Sequence, residues 1–116
     1  MNPFPEPWEL IGLFEGEPEL TDAGEPWFYN RVRFDRRRGN ERIELVIEPA
    51  DHELAFRWSI DGEAIIDLDL HDVVGLEARL GQGRESLIVS TGDPRQRPID
   101  IEISPRVRLV FGDEPR

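Results

Sequence analysis

The chain has 116 residues, no cysteine, 25 acidic and 14 basic side chains, and a formal net charge of −11. That length suits a single domain that buries a core without covalent staples. The missing cysteine excludes disulfides and thiolate metal sites, and the acidic excess disfavours nucleic-acid binding, because a phosphate backbone would be repelled. Every basic residue is arginine, a bias that a GC-rich bacterial genome accounts for. The N-terminus lacks a basic segment followed by an apolar run, and no stretch approaches a membrane span. The expectation is one β-rich domain over residues 1–116, cytoplasmic and away from membranes, with the lack of cysteine fitting a reducing compartment.

Residues 1–26 are interrupted by Pro3, Pro5, Pro7, Pro18 and Pro26, and should pack on the body. Within them, Pro7 to Phe14 reads as a short helix, with proline at its first position and Leu10, Ile11 and Phe14 at helical spacing. A short strand is the alternative. Gly16 to Pro26 reads as loop. Trp27 to Phe34 then reads as the first strand, with Phe28, Asn30, Val32 and Phe34 on one face and Trp27 and Tyr29 on the other. Arg36-Arg37-Arg38 falls in the following loop, where the guanidinium groups would grip an anion or, more simply, offset nearby acids. Arg42 to Glu48 is the second strand, paired so that Phe34 meets Ile43 and Arg33 meets Glu44. In the next pairing Ile47 meets Leu54, which sets Arg57 opposite Glu44.

The segment from Leu54 to Leu70 alternates apolar and polar residues on both sides of Asp61-Gly62, the period of half-buried strands. A two-residue turn there would put Glu63 and Asp67 on the apolar face. A three-residue loop Ile60-Asp61-Gly62, with Gly62 left-handed, avoids this and pairs Trp58 with Ala64, Phe56 with Ile66 and Leu54 with Leu68. Asp67 and Asp69 then face outward. A further hairpin over His71-Asp72-Val73 pairs Leu70 with Val74 and Leu68 with Leu76. Gly81-Gln82-Gly83 turns the chain into a strand over Glu85 to Thr91. Ile99 to Ile103 and Val107 to Phe111 form the last hairpin, with Ile101 opposite Leu109 and Glu102 opposite Arg108. Gly112 to Arg116 reads as a tail. About eight short antiparallel strands make a meander, which hides its edges as a sandwich or a partly open barrel.

No catalytic constellation stands out. Asp67, Asp69 and His71 share parity, but alternating acids are the ordinary face of an exposed strand, so no metal is expected there. His52 sits at a loop tip between two acids. No serine lies in a nucleophile elbow, and the turn glycines lack the helix and lysine of a phosphate loop. The expectation is a non-enzyme with no cofactor. Trp27 and Tyr29 are either covered by the N-terminal segment, through Trp8 and Leu10, or form a binding surface. With Asp67 and Asp69 they are the candidate partner-binding residues, and the acidic field suits a basic partner. A small-molecule or lipid-binding barrel is the alternative, resting on strand count alone.

The order of features resembles a known group. A Trp-containing helix (Trp8 to Phe14) precedes Gly16, Pro18 and Leu20-Thr21-Asp22-Ala23. A β-rich run follows, with Val73-Val74-Gly75-Leu76-Glu77 near its middle. This is similar to the small β-rich immunity proteins of bacterial polymorphic toxin systems, some of which carry Phe-His-Asp-Ala after the first helix. Here only Asp22 and Ala23 match that element. The resemblance implies an inhibitor that binds and neutralises a cognate toxin, and it names no toxin.

Overall fold

A computed structural model describes residues 1–81 and 83–111. The expected turn residue Gln82 and the expected tail 112–116 lie outside the described residues. Among the described residues the chain is mainly β, with nine strands in two antiparallel sheets and one α-helix. The helix α1 is Pro7–Phe14, as the proline and the apolar spacing predict. Leu10 and Leu13 are fully buried, whereas Trp8 is 66% exposed.

The chain divides into two compact units, one made of Met1–Leu13 with Asp72–Arg116, the other of Phe14–His71. The second unit holds a five-stranded sheet in sequential order: β1 (Glu19–Leu20), β2 (Val32–Arg38), β3 (Glu41–Glu48), β4 (Glu53–Ile60) and β5 (Glu63–Leu70). Period-two alternation gives it one apolar face. Val32, Phe34, Ile43, Leu45, Ile47, Leu54 and Phe56 on that face are 2% exposed or less, each worth about 1.5–3 kcal/mol on burial. Phe14 stacks on Phe34 at 5.1 Å between ring centroids.

The first unit holds β6 (Val73–Arg79), β7 (Glu85–Thr91), β8 (Ile99–Ser104) and β9 (Arg108–Phe111), again in sequential order. The last hairpin has the expected register, with Ile99 opposite Phe111, Ile101 opposite Leu109 and Glu102 opposite Arg108. Glu102 forms its ion pair with Arg84, at 3.6 Å. Neither sheet closes on itself, since one ends at β1 and β5 and the other at β6 and β9. A ligand-enclosing barrel therefore has no container within either sheet.

Several sequence expectations are corrected. Trp27 to Phe34 is not one strand: Trp27–Tyr29 is a 3-10 turn entered from Pro26, and the strand starts at Val32. The Tyr29 and Asn30 N–H groups bond back to the Pro26 and Trp27 carbonyls, both at 3.0 Å, which closes a turn in place of the expected strand ladder. Glu19–Leu20, expected as loop, pairs with Arg33 and Val32. Arg36, Arg37 and Arg38 are strand residues rather than loop, because the turn tightens to Gly39-Asn40 with Gly39 at φ +63°. The register shifts with it, so that Phe34 meets Leu45 and Asp35 meets Glu44.

The Asp61-Gly62 hairpin also differs. It is a two-residue turn, with Ile60 opposite Glu63 and φ of +52° and +81° at Asp61 and Gly62. Positive φ at both central residues matches the right-handed twist of the flanking strands. The parity conflict is relieved by an irregularity in β5, where Ser59 meets Ala64 but Trp58 meets Ile66. Ile65 is the extra residue, and it is 51% exposed. Phe56 consequently faces Leu68 and Leu54 faces Leu70. Ile66, Leu68 and Leu70 keep the expected apolar face with their register displaced by two residues, whereas Ala64, expected opposite Trp58, lies opposite Ser59 instead.

Finally, β5 does not pair with β6; they belong to different sheets. The expected hairpin partner of β6 is replaced by the N-terminus. Asn2 donates its N–H to the Val74 carbonyl and the Leu76 N–H donates to the Pro3 carbonyl, both at 2.8 Å. A register irregularity between Val73 and Gly75 turns Val73 inward and leaves Val74 40% exposed, the reverse of the expected parity.

Candidate functional site

The outer face of the five-stranded sheet is built from the polar half of each alternating strand. Its rows follow from the register. Arg33, Val46, Ala55 and Asp69 form one row, and Asp35, Glu44, Arg57 and Asp67 form the next. Arg33 bonds Glu44 at 2.8 Å and Glu19 at 3.0 Å. Arg42 bonds Asp35 at 2.8 Å, and Arg57 bonds Asp67 at 3.0 Å. Solvent screens such exposed pairs, so this lattice fixes side-chain positions more than it stabilises the fold. The hydrogen bond from Arg42 holds the Asp35 carboxyl below its ordinary range, with burial opposing.

Between the rows lies a shallow depression of about 340 Å³, lined by Arg31, Arg33, Glu44, Val46, Ala55, Phe56, Arg57, Asp67 and Asp69. Asp67 and Asp69 thus stand on the exposed outer face, as their parity requires. Arg57 stands opposite Glu44, as expected, and forms its ion pair with Asp67 on the next strand. Asp69 has no ion-pair partner among the described residues. His71 Nδ1 lies 3.4 Å from Glu53 Oε2. Among the described residues no group of three or more His, Asp or Glu side chains is arranged to hold a metal ion.

The aromatic candidates are placed differently from expectation. In a 3-10 turn Trp27 and Tyr29 no longer share a strand face. Trp27 packs edge-on against Phe34 at 5.9 Å, so it is partly a core residue. Tyr29 is 69% exposed and Phe28 46% exposed, and the two rings meet edge-to-face at 5.1 Å. Neither Trp27 nor Tyr29 lines the depression beside Asp67 and Asp69. Arg31, two residues after Tyr29, does.

Arg33 bonds Glu44 on the outer face as expected, although its register partner is Val46. Phe28 and Arg31 are surface groups that strand parity missed. The available signal was the turn chemistry of Gly24-Glu25-Pro26 followed by Asn30. Of the arginine triplet, Arg36 bonds Glu15 at 3.2 Å and Arg38 bonds Glu41 at 3.2 Å. They offset nearby acids, as expected, but from a strand. Trp58 Nε1 also donates to Glu41, at 2.9 Å. Burial acts to raise the Glu41 carboxyl, but these hydrogen bonds from Arg38 and Trp58 outweigh it and hold the group lowered.

These features define a mainly β protein of two open antiparallel sheets, one with a charged, ion-paired outer face. The fold is similar to that of one chain in a contact-dependent growth inhibition toxin–immunity protein complex from Klebsiella pneumoniae 342, with a TM-score of 0.76 over 92% of each chain and 13% sequence identity. At that identity the likeness is one of fold. No protein-family model matches the chain, and no curated protein matches it. The resemblance to β-rich immunity proteins drawn from the sequence thus has a structural counterpart. Among the described residues no helix is long and apolar enough to cross a membrane.

Proposed function

We propose that this chain is a non-enzymatic protein-binding module: an immunity protein that neutralises a bacterial toxin domain by binding it. The observation that carries the reading is the likeness of fold, over 92% of both chains, to a chain of a toxin–immunity protein complex. The formal charge of −11 supports a basic partner, because complementary fields speed encounter and fix orientation. Asp67 and Asp69 supply exposed acidic groups on the outer face of the sheet, while Tyr29, edge-to-face with Phe28, supplies an aromatic anchor of the type that dominates interfaces. Protection is required where the toxin acts, and a chain without cysteine suits the reducing cytoplasm.

The test is co-expression. A toxin domain encoded next to this gene should arrest growth when produced alone, and this chain should restore growth and be recovered in complex with it. A gene neighbourhood without a toxin, and no native-host partner whose capture depends on these residues, overturns the reading.

A further inference from the structure

A sheet edge presents unpaired N–H and C=O groups, and proteins shorten, cover or charge such edges to prevent unwanted pairing. The two sheets have their edges at β1, β5, β6 and β9. Strand β1 has two residues and β9 has four. Strand β6 carries Asn2 and Pro3, which take up the Val74 carbonyl and the Leu76 N–H. Strand β5 is neither shortened nor, among the described residues, paired along its outer side; it carries only acidic charge, from Glu63, Asp67 and Asp69, and its one irregularity lies at Ile65. It runs for eight residues without proline, lysine or arginine, and none of those residues is buried. Among the described residues its backbone pairs only with β4.

The side chains along that edge set the chemistry of an occupant. Past the extra residue Ile65, the strand alternates Asp67 and Asp69 on the solvent face with Ile66, Leu68 and Leu70 on the apolar face. A second copy of this chain would bring an acidic strand against an acidic strand, and like charges directly opposite are destabilising. A basic strand has no such penalty. Resting on the toxin-binding reading above, we propose that the partner docks by strand addition. An extended segment of the toxin domain pairs with the open side of β5, placing lysine or arginine beside Asp67 and Asp69 and apolar residues beside Ile66 and Leu68. Main-chain hydrogen bonds then supply affinity, and the alternating side chains supply specificity. Asp69 has no ion pair to break among the described residues, so its carboxylate is open to an incoming cation.

The experiment is hydrogen exchange on the full chain, alone and with a catalytically inactive version of the neighbouring toxin domain. Amides of residues 66–70 should exchange more slowly in the complex. Asp69→Arg should weaken binding by about tenfold or more, most strongly at low salt, with an unchanged melting temperature. A stable complex in which residues 66–70 exchange as in the free chain overturns strand addition and leaves the toxin-binding reading standing. Absence of any complex overturns both. Slowing of the same amides by raising the concentration of this chain alone makes the occupant a second copy, against the proposal.

Discussion

Asn30 holds Asp22 from two sides: its Oδ1 accepts the Asp22 N–H at 2.7 Å, and its Nδ2 donates to the Asp22 carbonyl at 2.8 Å. The same Nδ2 lies 3.0 Å from the Glu25 carbonyl and 3.2 Å from that of Pro26. One carboxamide, 4% exposed, therefore organises the whole loop that presents Phe28 and Tyr29. Asp22 itself accepts the Gly24 N–H on Oδ1 at 3.0 Å, tightening the turn.

Asn30→Ala should destabilise the protein by about 1–3 kcal/mol, because backbone groups that Asn30 satisfies lose their partners. Asn30→Asp should also destabilise, since a carboxylate cannot replace the two N–H groups that the Asp22, Glu25 and Pro26 carbonyls share. Denaturant unfolding measures both. An Asn30→Ala variant as stable as the parent would mean that water replaces the carboxamide at no cost.

The Asp61-Gly62 hairpin gives a second test. Ile65 is the extra residue in β5 and is half exposed, while Ile66 faces Trp58. Ile65→Ser should change stability by about 0.5 kcal/mol or less. Ile66→Ser, on the half-buried side, should cost about 1–3 kcal/mol. Gly62→Val should cost more than Gly62→Asn, because φ of +81° is an outlier for a β-branched side chain. A larger loss for Ile65→Ser than for Ile66→Ser would mean that the strand faces are inverted.

The faces of this hairpin were legible in the sequence, and its register was not. Alternation fixes which residues point the same way, so Leu54, Phe56 and Asp67 stand where parity puts them. Alternation alone cannot distinguish a three-residue loop from a two-residue turn with one extra residue further along, because both bring apolar faces together. The same limit explains β6. Periodicity predicted a strand, but its neighbour was decided by a tertiary contact from Asn2 and Pro3, remote in sequence. The expected shared face of Trp27 and Tyr29 failed for a different reason: they alternate like strand residues, while the Asn30 carboxamide holds the segment in a turn. Asp67 and Asp69 were legible as exposed acids. That they lie on a strand at the end of its sheet was not, since β6 was expected beside β5.

Asp35 makes a pH-dependent contribution. Its carboxyl is lowered from an ordinary 3.8, chiefly by the hydrogen bond from Arg42. A lowered folded-state value means the stabilisation is fully present above the ordinary value and is lost as pH falls through the lowered one. With Arg42 38% and Asp35 25% exposed at the side chain, the pair is worth about 0.2–1 kcal/mol at neutral pH. A double-mutant cycle with Asp35→Asn and Arg42→Ala should show that coupling at pH 7 and a smaller one as the carboxyl protonates in acid. Coupling that is unchanged after protonation would show that charge contributes nothing to it.

Gly75 reports on the N-terminal cover of β6. A Cβ added there would lie 3.1 Å from Pro3 Cδ and 3.3 Å from the Asn2 carbonyl oxygen, closer than most real contacts. Glycine is therefore what lets Asn2 and Pro3 lie along the strand and bond Val74 and Leu76. Gly75→Val should push that segment away and cost about 1–3 kcal/mol as overpacking. The Leu76 amide, which bonds the Pro3 carbonyl, should lose protection from hydrogen exchange. Removing residues 1–4 should expose the same amide without any overpacking, and should leave β6 as an open edge prone to concentration-dependent association. If the Leu76 amide stays protected in both variants and self-association is unchanged from the parent, the N-terminal segment is not what covers β6.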